Sequence, residues 1–101
     1  MSIPKAILSQ MSELRDLCSE FEVQELALFG SALTDKFAPE SDLDLLVEFR
    51  PQASVGLFRF LGLQNRLADL FHRKVDLVPK KALKPFLRDT VLKQAQIIYA
   101  G

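Results

Sequence analysis

Two short apolar runs constrain the fold of this chain more than any other feature. They are VQELALF (Val23–Phe29), cut off by Gly30, and LDLLVEF (Leu43–Phe49), stopped by Pro51. Both read as strands bounded by turn-forming residues. KVDLVP (residues 74–79) is a third short strand, and QIIYA near the C-terminus closes the set as a short edge strand. Between the strands the apolar residues change to helical spacing. Ile7, Met11, Leu14, Cys18 and Phe21 step by four, three, four and three, so residues from about 4 to 20 read as an amphipathic helix, with Pro4 suited to its first turn. In residues 55–71 the stripe Phe60, Leu63, Leu67 and Leu70 is broadened by Leu57, Phe58, Leu61 and Phe71, which predicts a helix with a wide apolar arc. A last helix begins near Pro85 in LKPFLRDTVLKQA. The expected order is α-β-(short α)-β-α-β-α-β, an α/β (α+β) arrangement.

A chain of 101 residues has room for one domain with one core, and no repeat, linker or boundary divides residues 1–101. Thirteen Lys or Arg balance thirteen Asp or Glu, so no positive excess is present to grip a nucleic-acid backbone and no direct nucleic-acid binding is expected. The single cysteine, Cys18, excludes an intrachain disulfide, and with a single histidine, His72, it excludes the usual zinc clusters. Cys18 lies on the apolar stripe of the first helix and reads as a packed core thiol. His72 reads as a surface or cap residue near a helix C-terminus. The N-terminus lacks the unbroken apolar segment of a signal peptide, and no apolar run approaches the roughly 20 residues of a membrane span. A cytoplasmic location without membrane contact is expected.

The acidic residues carry the chemistry. Along an extended strand Asp42 and Asp44 project to one face, about 6.6 Å apart, while Leu43 and Leu45 project to the other. Asp76 stands alone between Val75 and Leu77 of the third strand. If the two strands are neighbours, three carboxylates converge, and each resists ionisation unless a cation lies among them. Oxygen-only ligation with positions left for water and phosphate suits Mg²⁺. Gly30-Ser31, at the end of the first strand, lets the backbone approach a ligand, and a helix beginning near Ser31 would turn free N–H groups toward an anion. A triphosphate held there by its tail would present its α-phosphorus to Asp76, an arrangement that supports nucleotidyl transfer with Asp76 receiving the acceptor's proton. Simpler uses exist for each piece. Ser41-Asp42 can open a strand or a turn, and a Gly-Ser pair alone is common. The combination is what points to a metal–nucleotide site.

Gly30-Ser31, ten residues, then Asp42-Leu43-Asp44 resembles the signature of the DNA polymerase beta-like nucleotidyltransferase superfamily. ESDLDLLVEF, RKVDLV and LKPFLRDTVLKQA resemble its smallest branch, the minimal nucleotidyltransferase (MNT) proteins, and the similarity runs from about Val23 to Ala95. This resemblance implies a small mixed β-sheet flanked by helices, two Mg²⁺ ions on Asp42, Asp44 and Asp76, and ATP as donor. It also implies a role as antitoxin to a HEPN-domain ribonuclease toxin, inactivated by transfer of AMP to a tyrosine hydroxyl. Where the family commonly carries Ala-Arg-Gly after the Gly-Ser pair, this chain has Leu33-Thr34-Asp35-Lys36, so Thr34 stands in place of the usual arginine. Lys36 is then the nearby source of positive charge, and with Gly30, Ser31 and Lys74 it makes up the expected nucleotide-binding set. Arg73, beside Lys74, is a candidate for phosphate or acceptor contact or a solvated strand entry.

The altered loop also fits an antitoxin that neutralises by binding alone, and the superfamily includes transferases that act on small molecules such as antibiotics. About 100 residues leave little chain to enclose a small acceptor, which favours a macromolecular one. The wide apolar arc of residues 55–71 leaves surface for a partner or a second copy, in a hetero- or homo-oligomer.

Overall fold

The computed structural model describes residues 5–30 and 42–101. Two helices, α1 (Lys5–Leu8) and α2 (Met11–Glu20), lead into β1 (Val23–Phe29). Then come β2 (Leu43–Phe49), α3 (Leu57–Phe71), β3 (Val75–Pro79), a single 3-10 turn at Lys80–Ala82, α4 (Pro85–Gln94) and β4 (Gln96–Ala100). The short helix expected between β1 and β2 falls outside the described residues.

The single N-terminal helix expected from the spacing is broken at Ser9 and Gln10. The Ser9 hydroxyl donates to the Ala6 carbonyl at 3.1 Å, and Gln10 N–H donates to Ile7 O at 3.0 Å, a tightened turn that ends α1. Serine competes for backbone carbonyls in this way inside helices. The apolar stripe survives the break, since Ile7, Leu14, Leu17 and Cys18 are all buried.

The four strands form one mixed sheet in the order β3-β2-β1-β4. β1 runs antiparallel to both β2 and β4, while β2 and β3 are parallel and joined by the crossover helix α3, because parallel neighbours need a long connection. One face of the sheet carries Leu26 and Leu28, Leu43, Leu45 and Val47, Val75 and Leu77, and Ile98, all buried under α2 and α3. Leu14, Leu17 and Cys18 of α2 and Leu63, Leu67 and Phe71 of α3 complete this core. Each fully buried leucine contributes about 1.5–3 kcal/mol, so the core holds the strand register firmly.

That register organises the opposite face, because side chains alternate along each strand. Paired residues fall into three rows. Phe29, Asp44 and Asp76 form the first; Ile97, Ala27, Leu46 and Val78 the second; Glu25 and Glu48 the third. α4 has no buried residue, yet Ala27 and Leu46 of the second row are buried, so the middle of this face is covered and the first and third rows reach solvent. At the edge of the sheet, Leu77 N–H of β3 donates to Gln64 Oε1 of α3 at 3.0 Å, tying the strand that carries Asp76 to the helix packed behind it. Among the described residues no helix is long and apolar enough to cross a membrane.

Candidate active site

Asp44 occupies the second position of β2, between Leu43 and Leu45, whose side chains are anchored in the core. That burial leaves the Asp44 carboxylate only one direction, toward the open face. The parallel pairing places Asp76 directly beside it, one strand spacing of about 4.8 Å away. Leu43 N–H donates to Lys74 O at 2.9 Å, which starts the β2–β3 ladder at this point and locks the two acids in the same row. Asp42 stands just before β2 and is exposed. It is therefore the looser of the three, attached to the row by one residue of chain.

The electrostatics follow from this placement. Burial, then the Asp76 charge, then the Asp42 charge push the Asp44 carboxyl above its ordinary value of 3.8. A half-buried acid whose ionisation is opposed by two neighbouring carboxylates is better suited to a cation than to solvent. Lys74 Nζ lies 4.0 Å from Asp42 Oδ2, with both groups largely exposed. A pair this exposed contributes little to stability.

Gly30 sits at the end of β1, next to Phe29, the cross-strand partner of Asp44. Its φ of +73° lies in the left-handed region that favours glycine. The Cβ of any other residue would run into the Asp44 carboxylate. The backbone after β1 therefore lies against the central acid of the row, and whatever Asp44 holds is within reach of the chain at Gly30.

The donor set fits magnesium. It is oxygen only, although among the described residues no three His, Cys, Asp or Glu side chains, Asp42, Asp44 and Asp76 included, are arranged so that they alone could hold a metal ion. Mg²⁺ takes one or two carboxylates and completes its shell with water and substrate phosphate, so a partial set is what it needs. The softer ligands are elsewhere. Cys18 is fully buried among α2, α3 and the sheet, and burial pushes its thiol up to about 12, which makes it inert as nucleophile or ligand. His72 caps α3 in a left-handed conformation and is exposed.

Of the residues singled out from sequence, the fold thus brings together Asp42, Asp44, Asp76, Gly30 and Lys74. Ser31, Thr34, Asp35 and Lys36 lie outside the described residues. Arg73, between His72 and Lys74, donates its backbone N–H to Ala68 O at 3.2 Å in the turn after α3. Sequence reasoning missed Gln64, which steadies β3, and the group Glu25, Glu48 and Lys80 farther along the same face. Lys80 Nζ lies 3.2 Å from Glu25 Oε1 and 3.9 Å from Glu48 Oε1. The period-two series Asp44, Leu46, Glu48 carried a signal for Glu48; nothing local marks Gln64 or Lys80.

The chain is similar to known proteins in sequence and in fold. Residues 11–98 match the nucleotidyltransferase domain family. The protein adenylyltransferase MntA of Thermococcus cleftensis is 35% identical over 92 residues, covering 91% of this chain and 88% of that one. A solved structure described as a minimal nucleotidyltransferase is 29% identical, with a TM-score of 0.75 over 94% of each chain. A chain from the complex of a tri-AMPylated Shewanella oneidensis HEPN toxin with MNT antitoxin is 20% identical. Its TM-score is 0.66 over 93% of this chain and 72% of that one, a likeness of fold.

Proposed function

The chain belongs to the nucleotidyltransferase domain family, and from that premise we propose that it is a Mg²⁺-dependent protein adenylyltransferase acting as an antitoxin. It moves AMP from ATP to a hydroxyl of a HEPN ribonuclease toxin, a tyrosine being the acceptor. The observation that carries this reading is the acid row: Asp44 backed by Gly30, flanked across the ladder by Asp76 and along the chain by Asp42, with its carboxyl held above the ordinary range by burial and by both neighbours. The relative from Thermococcus cleftensis, named for protein adenylyl transfer, and the fold shared with a chain of the AMPylated HEPN toxin complex support the choice of acceptor.

Asp42, Asp44 and Asp76 would hold two magnesium ions. Bound there, magnesium neutralises charge on the α-phosphoryl group and lowers the pKa of the attacking hydroxyl. The chain's own residues do the rest. Gly30 lets the backbone close on the β- and γ-phosphates, with Ser31 at the head of the following segment. Lys74, and Lys36 in place of the family's arginine, contribute positive charge to the phosphate tail. Asp76, on the edge strand, takes the proton of the acceptor hydroxyl as its oxygen bonds to the α-phosphorus. The bond from that phosphorus to the bridging oxygen breaks, and pyrophosphate leaves. With Asp42 holding metal, Lys74 would be free to contact the phosphates.

A chain using ATP against a ribonuclease works in the cytoplasm, and a single domain over residues 1–101 suffices when the acceptor is a second protein. The Thr34-Asp35 substitution favours one alternative, a protein that neutralises the toxin by binding alone. Intact-mass measurement of the partner after co-expression separates the two. AMP adducts with the wild type and none with Asp42→Asn plus Asp44→Asn support the enzyme; an unmodified partner that is nonetheless inhibited supports the binder.

A further inference from the structure

We propose that the N-terminal half of α3 is a self-association surface, on which a second copy of this chain docks about a two-fold axis. Among the described residues Phe58 is the most exposed large apolar side chain, at 91%. Leu57 and Leu61 beside it are exposed as well. Steps of three and four residues bring a helix round to the same side, so Leu57, Phe58 and Leu61 form one strip. The strip faces away from the sheet, because Leu63, Leu67 and Phe71 on the opposite flank of α3 enter the core.

A groove of about 550 Å³ adjoins the strip, walled by Phe49, Val55, Leu57, Phe60, Leu77 and Pro79. Phe49 and Phe60 meet edge to face in its wall, with ring centroids 6.4 Å apart. No charged side chain lines it. The one charge in the first turns of α3, Arg59, is turned aside to α2, where its guanidinium donates to Glu20 O at 2.8 Å and lies 5.3 Å from the Phe21 ring centre. Strip and groove together have the composition of an interface centre, apolar, aromatic and depleted of charge.

A protruding Phe58 beside an apolar groove makes this surface complementary to itself. A two-fold axis near Leu57 carries Phe58 of each copy to the groove of the other, so that one patch serves both partners. Placement favours a second copy over the acceptor protein. α3 covers one side of the sheet and the acid row lies on the other, so a protein presenting a hydroxyl to Asp76 leaves the strip uncovered. Charge agrees with this. Thirteen Lys or Arg balance thirteen Asp or Glu, so two copies do not repel, and an uncharged strip has nothing with which to select a charged partner. The area is sufficient but small. Phe58, Leu57 and Leu61 offer on the order of 400 Å² per copy, the size at which an exposed patch marks an interaction site. With the groove walls, contact removes on the order of 1,000 Å² from the two copies together, the low end for a specific interface. The dimer is therefore weak and concentration-dependent, and both acid rows stay open in it.

Sedimentation equilibrium of the full chain, from low micromolar to near-millimolar concentration, tests the assignment. The wild type should show a reversible monomer–dimer equilibrium. Phe58→Asp should weaken it about tenfold or more, the scale of losing a central aromatic anchor, and leave the Tm of the dilute protein unchanged. Oxidation of Leu57→Cys should give a disulfide-linked dimer, because the two copies of a residue near the axis meet. Ile97→Cys, 51% exposed on β4 at the other edge of the sheet, should stay monomeric, and the buried Cys18 does not compete. This second arm decides the matter if Phe58→Asp fails to fold. A wild type that is monomeric throughout, a dimer as tight in Phe58→Asp as in the wild type, or cross-linking through Ile97→Cys in preference to Leu57→Cys overturns the proposal. A monomeric wild type whose Phe58→Asp variant loses its grip on the acceptor protein overturns it too, and assigns the strip to that partner.

Discussion

Gly30→Ala perturbs the strand end and the central acid at once, and its effect can be built from two terms. Holding a residue with a Cβ at φ +73° costs about 1–2 kcal/mol. The added Cβ then meets Asp44 alone: its carboxylate oxygen, Cγ at 3.2 Å and Cβ at 3.4 Å are the nearest atoms. Driving that carboxylate off its rotamer costs about another 0.5–1.5 kcal/mol. The sum, about 1.5–3.5 kcal/mol, corresponds to a fall in Tm of at least about 6 °C for a domain of this size, with about 15 °C as the central value. Circular dichroism melts without metal or nucleotide measure it directly. In an Asp44→Ala background the carboxylate is gone and only the Cβ contact at 3.4 Å remains, so the same substitution should be milder by about 0.5–1.5 kcal/mol. An unchanged Tm in Gly30→Ala, or an equal loss in both backgrounds, refutes the contact between Gly30 and Asp44 as the basis of the site.

Asp42→Asn plus Asp44→Asn should abolish Mg²⁺-dependent ATP binding in calorimetry without lowering Tm, since mutual repulsion is relieved; retained affinity contradicts the metal assignment. Because the folded state raises the Asp44 carboxyl, it holds a proton that the unfolded chain has released. Metal-free stability should therefore fall as pH rises from the ordinary carboxylate value through the raised one and then level off, a slope Asp44→Asn removes in denaturant titrations across pH. Asp44 is half-buried and keeps part of its solvation, so the slope is shallow. Asp76→Asn should keep most nucleotide affinity while turnover falls about 10²-fold or more, and near-normal turnover excludes Asp76 as proton acceptor. Cys18 should resist thiol reagents in the native protein and react only on unfolding, as its burial and raised thiol require; fast native labelling contradicts the packing of α2.

Much of the fold was legible because strand and helix periods differ. Val23–Phe29 and Leu43–Phe49 declared themselves through apolar runs ended by Gly30 and Pro51, and Pro85 marks the first turn of α4. The common side of Asp42 and Asp44 also followed from alternation, although Asp42 lies one residue before the ladder begins. The row of Asp44 with Asp76 could be stated only as a condition. Whether β3 pairs with β2, and in which register, depends on how α3 packs across the sheet, a long-range property that no local pattern encodes. The break at Ser9 escaped the stripe analysis because the apolar spacing continues through it. For α3 the arc was right and its use was not decided by sequence. Leu63, Leu67 and Phe71 enter the core, while Leu57 and Phe58 near its start are 70% and 91% exposed. Lys80 was invisible for the same reason as the register, since its partners are 55 and 32 residues away in the chain.

Transfer of label from ATP to the partner protein tests the central claim most directly. With Mg²⁺ and millimolar ATP carrying label at the α-phosphate, the wild-type protein should move label onto its cognate HEPN toxin, and ATP labelled at the γ-phosphate should leave the toxin unlabelled. Thr34→Arg, which restores the family's basic residue, should raise the rate, because a charge-assisted hydrogen bond to phosphate contributes about 1.5–3 kcal/mol. Failure of both proteins to transfer α-label, with wild type and Asp44→Asn inhibiting the toxin equally, contradicts the enzymatic account.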